Sequence, residues 1–434
     1  MKLKISNFSN IKRAEIEIDG ITVIAGHNNT GKSTIGKIFF SLFNSLHDIE
    51  NKINETKSIQ IRNILSSHIM NYIEHETNFR AVELRRIRLR VSSELTESIL
   101  SLREKNLDSA DFYRRISDTF KRHNIPINKK GIDEFIDYVL DKSAEIIKIP
   151  DMLVVHEIIS RYFTNIFSGQ INCLKKDPLE AKLTLTIKNK RMEISFRNNN
   201  CSGYESSFNI LHEAFYIDNP FIIDDLIDNI FFDPNDIKEH LISRLTDDNG
   251  IMHGIIDSVI AKEKLEDIYD ILNKVVDGNI IDNGEGLSLD NKKYSEPIKL
   301  SNLSTGLKSF IIIKRLLEKG ILKEKDVLIL DEPEIHLHPE WQFIYAEIIV
   351  LLQKTFDLSI IVTTHSSNFL ESIDYFSRKH YISSKCRYYL AKSIDETNTY
   401  ENVTDNLDKI YAQMIQPSVL LDRLKYEMEC DENE

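Results

Sequence analysis

The stretch ITVIAGHNNTGKST, Ile21 to Thr34, decides how the rest of the chain is read. Four β-prone residues, Ile21 to Ile24, lead into Gly26. After four more residues come Gly31, Lys32 and Ser33. This is the spacing G-x-x-x-x-G-K-S of a phosphate-binding loop, or P-loop. The glycines let the backbone turn tightly, so that successive N–H groups face one anion. The Lys32 ammonium can reach the terminal phosphates, and the Ser33 hydroxyl can join a Mg2+ shell. A helical run from Ser33 to Asn44 adds a positive helix end at the same point. A hydrophobic run before and a helix after distinguish the pattern from an ordinary glycine-rich turn. The expected ATP contacts are Gly26, Asn28, Asn29, Thr30, Gly31, Lys32, Ser33 and Thr34.

Composition narrows the class. A chain of 434 residues predicts two to three domains. An apolar content of 41% is enough to bury real cores. No apolar run approaches the roughly 20 residues of a membrane helix. The opening MKLKISNFSN lacks the apolar core of a signal peptide. Cys173, Cys201, Cys386 and Cys430 are scattered without a C-x-x-C pair. That predicts a reducing, cytoplasmic setting and argues against a structural zinc site. The formal charge of −13 argues against a non-specific nucleic-acid coat and leaves room for a local basic stripe. Few glycines (14) and prolines (9) predict a helix-heavy globular protein with few linkers.

Around the P-loop, residues 2–9 and 14–18 alternate apolar and polar, as half-buried strands do. They predict an antiparallel flap over a parallel core. From Ser41 to Asp151 the periodicity is mostly helical, with a break at Phe120 to Pro126 and a second helix over Ile132 to Ile149. Helices of roughly 30 residues predict a projection of about 45 Å, too short for a long arm. Arg80, Arg85, Arg86, Arg88 and Arg90 form a stripe in this segment. A solvated helix face is the plain reading; contact with nucleic acid or an acidic partner is the sharper one.

Residues 181–197 predict a hairpin, with a polar turn at Lys188 to Arg191. Ala214 to Ile217 predicts a buried strand ending at Asp218. Asp236 to Val276 is helical with an interruption near Asp247 to Gly254. Residues 278–300 read as short strands and turns. A helix after Leu303, a strand at Val327 to Leu330, a helix over Glu340 to Thr355 and a strand at Leu358 to Thr363 imply a parallel sheet. A strand-like stretch (Arg387 to Ala391) and a helix (Asn406 to Tyr426) follow, then an acidic, frayed end.

The second chemical signal is Val327 to Leu330 running into Asp331 and Glu332. A buried parallel strand presents its functional residues at its C-terminal end. Asp331 is then expected in the Mg2+ shell, and Glu332 beside the attacking water. Ser304 and Gly306 precede a helix, and so form a second phosphate cradle. One site does not need two cradles. The economical expectation is that this one caps the nucleotide of a second copy.

Gly26 to Ser33, Leu303 to Lys308, Asp331-Glu332 and His365 stand in the order P-loop, signature, acidic strand, histidine. In this order the chain resembles the ABC ATPase superfamily. The opening strands, DEPEIHLHP (Asp331 to Pro339) and His365-Ser366 resemble the OLD, SMC and RecF-like heads within it. That resemblance covers about residues 1–45 and 210–375. It implies an α/β P-loop ABC-ATPase head with a mixed sheet and an inserted helical subdomain. It implies ATP and Mg2+ as cofactors, Lys32, Glu332 and His365 as catalytic residues, and His365 as a γ-phosphate sensor. Ser33 and Asp331 would hold the metal. Asp218, in Tyr216 to Pro220, stands where the family keeps a Q-loop glutamine and would join them. His336 and His338 fall in the loop that, by the same resemblance, would line the dimer interface, which argues against a separate metal site.

The expected division is residues 1–45 and 169–400 for the head, 46–168 for the helical insertion, and 401–434 for a C-terminal helix and tail. Sixty-nine residues after His365 are too few for the Toprim nuclease of OLD proteins. Heads of this size resemble the stand-alone ATPase subunits of anti-phage systems such as Septu and PARIS. The resemblance implies a homodimer or higher even-numbered oligomer, a separate nuclease or toxin effector, a DNA or phage-protein trigger, and no membrane. A RecF-like DNA clamp is the alternative. An autonomous nuclease has little to stand on: Asp282, Glu285 and Asp290 lie in a turn-rich, solvated loop.

Overall fold

The computed structural model describes residues 1–76, 81–102, 109–173, 179–226, 236–246, 255–282, 286–394 and 397–431. The chain divides into two compact units, one of Met1–His47 with Ile158–Glu434, the other of Asp48–Glu157.

The larger unit is a mixed α/β structure. Its strands are β1 (Lys2–Phe8), β2 (Ile11–Glu17), β3 (Ile21–Gly26), β4 (Ala181–Ile187), β5 (Lys190–Arg197), β6 (Asn200–Ser206) and β7 (Ala214–Ile217). A small antiparallel sheet follows from β8 (Asn279–Asp282), β9 (Leu287–Asp290) and β10 (Ile298–Lys299). Then come β11 (Val327–Asp331), β12 (Ser359–Thr364), β13 (Cys386–Ile394) and β14 (Thr397–Asn402). Among the described residues the main sheet runs β6-β5-β4-β1-β2-β14-β13-β3-β12-β11-β7.

One half is parallel. β3 sits between β12 and β13, and β11 between β12 and β7. β3 and β7 are buried from end to end, and β11 and β12 in all but one terminal residue each, hence their near-continuous apolar runs. The other half is antiparallel and alternates, with Leu3, Ile5, Ala14, Ile16, Leu183, Leu185, Met192, Ile194 and Phe196 inside. It is not a separate flap. β14 joins it to the parallel half through the Asn398–Ile11 pair. The 181–197 hairpin turns earlier than its polar run predicts: Lys188 takes a left-handed φ of 54°, and Arg191 already pairs with Thr186.

Helix α1 (Lys32–Leu46) leaves the P-loop and packs on the parallel strands. A Cβ on Gly36 would lie 2.8 Å from Ile329, so the glycine sets the close approach of helix to sheet. At the far end Asn44 completes the edge strand, giving Nδ2 to Ala214 O (2.8 Å) and taking Ala214 N on Oδ1 (2.9 Å).

The smaller unit carries α2 (Ile49–Glu76), α3 (Ala81–Leu102), α4 (Ser109–Arg122) and α5 (Lys129–Lys148). These four helices, expected from the periodicity, form a bundle with its own core. Ile61, Leu65, Ile69, Val91, Leu95, Ile99, Phe112, Ile116, Phe120, Ile132, Phe135 and Val139 fill that core. The α4–α5 connection is pinned by Tyr72, whose hydroxyl donates to Pro126 O (3.1 Å) and accepts from Asn128 N (2.9 Å). Buried Lys57 donates to Ile149 O (2.9 Å) and pairs with Asp151 (2.5 Å). Helix α6 (Asp151–Phe167) returns to the larger unit, where Phe163 and Phe167 pack on Phe8.

The larger unit continues with α7 (Ile237–Thr246), α8 (Ile255–Val275), α9 (Thr305–Glu318), α10 (Pro339–Phe356), α11 (Ser367–Lys379) and α12 (Asp408–Asp431). The interruption expected at Asp247 to Gly254 lies outside the described residues, as do Arg80 and Glu285. No helix among the described residues is long and apolar enough to cross a membrane.

One buried ion cluster ties α7 to the sheet. Glu213 accepts from His240 Nε2 (2.8 Å) and from Arg244 Nε (2.8 Å). Burial pushes the Glu213 carboxyl up, but these partners outweigh it and hold the group at about 2. A carboxyl depressed on folding contributes stability above its unfolded pKa and loses it as pH falls through the folded one. Glu213→Gln is therefore expected to cost on the order of 2–3 kcal/mol near neutral pH. Urea unfolding of the two proteins should show that gap narrowing as pH is lowered from 5 towards 2; a gap independent of pH would refute the charge cluster.

Candidate functional site

The P-loop leaves the buried end of β3. Gly26 takes φ +155°, and a Cβ there would lie 2.4 Å from Ala391 O. Asn28 and Asn29 are exposed at the tip, with Asn29 at a left-handed φ of 62°. Thr30 is buried, and its hydroxyl donates to His27 O (2.8 Å). Gly31, φ +78°, is the N-cap of α1. Lys32 follows at the first turn, nearly fully buried. Its Nζ donates to Gly26 O and His27 O, both at 3.0 Å, and lies 3.5 Å from Glu332. The ammonium therefore sits inside the loop. Ser33 and Thr34 are half-buried at its mouth.

Asp331 ends β11 and gathers three hydroxyls. Ser33 Oγ donates to its Oδ1 (3.0 Å), Thr363 Oγ1 to the same oxygen, and Tyr216 Oη to Oδ2 (2.7 Å). Burial first, then Asp331, pushes the Tyr216 phenol well up, so it stays a donor. The Asp218 carboxyl, on an exposed residue just past β7, is raised by desolvation and then by the Asp331 charge. Ser33 and Asp331 together offer oxygen donors to a hard divalent cation, with phosphate and water left to complete the shell. Among the described residues no three His, Cys, Asp or Glu side chains converge as a ready-made metal site.

Glu332 takes a left-handed φ of 51°, unusual for a residue with a Cβ. Its N–H is held by Thr363 O and Thr363 Oγ1, each at 3.1 Å. The bend turns the Glu332 carboxylate back towards the loop, where it meets Lys32. His365, just past β12, brings Nδ1 to 3.6 Å from Glu332 and 3.7 Å from Glu334. The fold thus brings Lys32, Ser33, Asp331, Glu332 and His365 together around the loop mouth.

Ser304 and Gly306 stand apart. Among the described residues neither is hydrogen-bonded to residues 26–34. Ser304 is the exposed N-cap of α9, its side chain uncommitted to the helix. A Cβ on Gly306 would lie 3.0 Å from His336 O and from Trp341, so this glycine seats α9 against the Asp331–Pro339 loop. Buried Lys308 then ties α9 to the segment after Asp218. It pairs with Asp224 (2.7 Å) and donates to Ser301 O (3.0 Å). His336 is exposed, and His338 caps α10 by accepting from Glu340 N (3.4 Å). On α3, Arg85, Arg86 and Arg90 are exposed and Arg88 is half-buried.

Sequence reasoning passed over Tyr216 as a ligand-holder, Thr363, and above all Glu334. Glu334 Oε1 accepts from Thr364 Oγ1 (2.6 Å) and from His365 N (3.0 Å). The residue is only 3% exposed, and its Oε2 has no partner among the described residues. Burial raises its pKa. The only cue was a third carboxylate after Pro333. Glu334→Ala leaves the buried Thr364 hydroxyl and the His365 N–H without an acceptor, at roughly 1–3 kcal/mol. Thermal unfolding should show a clear loss of melting temperature for Ala and a smaller one for Glu334→Gln, which keeps an acceptor oxygen; equal losses would remove the hydrogen-bonding account.

Comparison with known proteins bears on this arrangement. The profile described as AAA ATPase domain matches residues 1–370. Solved structures also align along most of the chain. An SMC head bound to the C-terminal winged-helix domain of ScpA shares 13% identity, with a TM-score of 0.45 over 92% of this chain and 96% of that one. The SMC head domain from Thermotoga maritima shares 10% identity, TM-score 0.39, over 93% and 98%. An SMC head with an extended coiled coil from Pyrococcus furiosus, bound to the C-terminal domain of ScpA, shares 11%, TM-score 0.33, over 96% and 98%. The profile match spans well over half of the sequence, and on it the chain belongs to the AAA ATPase domain family.

Proposed function

We propose that the protein is an ABC-type ATPase whose nucleotide-bound form is a head-to-head dimer. The observation that carries the reading is the Ser33–Asp331 contact of 3.0 Å at the mouth of the P-loop, with Lys32 and Glu332 beside it. It unites the phosphate-binding loop and the acidic strand in one oxygen-rich site.

In this reading the N–H groups from Asn28 to Thr34 cradle the phosphates of ATP. Lys32 exchanges its contacts with the Gly26 and His27 carbonyls for phosphate oxygens. Ser33 and Asp331 hold Mg2+, which neutralises charge on the bridging phosphates when bound. Asp218, just past β7, would join them, as the family resemblance implies. Glu332 polarises the attacking water, and the backbone bend at this residue fixes its aim. His365 lies between Glu332 and Glu334, where a donor to a terminal phosphate is needed. The exposed Ser304 and the α9 helix end supply the cap for the partner's nucleotide.

ATP then acts as a conformational ligand. Its extra contacts in the closed dimer shift the population, and hydrolysis resets it. The output we propose is control of a separate nuclease or toxin in anti-phage defence, on the strength of the OLD-like resemblance. The DNA-clamp reading draws on the exposed Arg85, Arg86 and Arg90. It predicts DNA-stimulated hydrolysis that weakens steeply with salt. Cys173, Cys201 and Cys386, outside any disulfide among the described residues, fit a reducing cytoplasm.

Lys32→Ala should weaken ATP binding by about 100-fold or more, the cost of an unpaired phosphate charge. Glu332→Gln should still bind ATP while its phosphate release falls by about 10²–10⁴. Light scattering on Glu332→Gln with ATP and Mg2+ should give a dimer or a larger even-numbered assembly. A monomer with ATP bound would end the shared-site reading.

A further inference from the structure

We propose that Tyr400, on β14, is a positioning residue for the phosphate cradle, and that the β13–β14 hairpin is the back wall of the P-loop. The inference rests on the nucleotide reading of that loop. It adds residues that lie beyond residue 370, where the family match ends.

The Tyr400 hydroxyl lies 3.1 Å from Thr30 O and 3.0 Å from Gly31 O, and shares its one proton between them from behind the loop. Gly31 O also accepts from Ile35 N (3.3 Å), so the same oxygen opens α1. A trans peptide points its C=O and its N–H in opposite directions. Drawing the Thr30 and Gly31 carbonyls towards β14 therefore turns the N–H groups of Gly31 and Lys32 away from it, into the concave side of the loop. Those are donors that an anion in the loop uses. A flipped peptide would present a carbonyl oxygen to the phosphate instead. Tyr400 thus fixes the sign of the dipoles in the cradle without touching the ligand.

The two loop glycines press on the same hairpin. A Cβ on Gly31 would lie 2.7 Å from Tyr400 Oη and 3.0 Å from Asn398 Nδ2. A Cβ on Gly26 would meet the Ala391 carbonyl at 2.4 Å. Asn398 is 2% exposed, and its Nδ2 has no hydrogen-bond partner among the described residues. Lys392 and Glu401 pair at 2.9 Å across the hairpin and hold it together. The glycines at both ends of the motif thus have a steric reason specific to this chain: each faces an atom of residues 391–400.

The test compares Tyr400→Phe with Tyr389→Phe in the full chain. Each substitution removes one hydroxyl from the hairpin; Tyr389 Oη accepts from Glu17 N (2.8 Å), away from the loop. The readouts are binding of a fluorescent ATP analogue and the KM and kcat of ATP hydrolysis. Tyr400→Phe should raise Kd and KM by about tenfold, the worth of one lost hydrogen bond, while kcat changes by less than about threefold. Tyr389→Phe should leave both KM and Kd within about twofold of wild type. The inference is overturned if Tyr400→Phe binds like wild type, if both variants weaken binding equally, or if Tyr400→Phe fails to fold where Tyr389→Phe folds. A wild-type chain that does not bind the analogue overturns the nucleotide reading itself, and this inference with it.

Discussion

The Asp331 carboxylate is the constraint on which the ATPase unit depends. A half-buried carboxylate is stabilised when its oxygens accept hydrogen bonds. Here three hydroxyls donate them, from Ser33 on α1, Thr363 on β12 and Tyr216 on β7. One carboxylate thereby registers the neighbouring strands against the helix that leaves the P-loop. The same hydroxyl of Thr363 receives the Glu332 N–H, so the bend that aims Glu332 depends on the same bonds. Removing Asp331 would remove the acceptor that holds Ser33, Thr363 and Tyr216 together.

The site is enclosed from two further sides. Behind it stands the β13–β14 hairpin, close enough that neither Gly26 nor Gly31 has room for a Cβ. Beside it stands Glu334, which holds the backbone of His365 through a buried acceptor. From there the chain runs through Gly306 and Lys308 to the segment after Asp218. Packed and hydrogen-bonded groups thus link the Asp331–Pro339 loop and the segment after Asp218 to the exposed end of α9.

The helical insertion solves a different problem. A two-helix pair buries only one seam, and the apolar residues of α2 and α3 exceed what such a seam needs. Phe112, Ile116 and Phe120 on α4 close the bundle instead, and Tyr72 locks the turn that makes this possible. The exposed arginines on α3 are what remains on the outside once Val91, Leu95 and Ile99 have gone in.

The sequence by itself determined the chemistry that short-range patterns encode. Gly26 to Ser33 declared a phosphate loop because its spacing is dictated by backbone geometry. Val327 to Glu332 declared an acidic strand end because a buried parallel strand must be apolar throughout. The polar strands β6 and β14 carried no such pattern, since they gain their place from neighbours rather than from an apolar face. Only the tertiary structure decided that Tyr216 and Thr363 serve Asp331, that Glu334 serves His365, and that Tyr400 lies behind the P-loop. Those contacts join residues up to 370 positions apart, and a hydroxyl or carboxylate leaves no periodic trace of the partner it will meet.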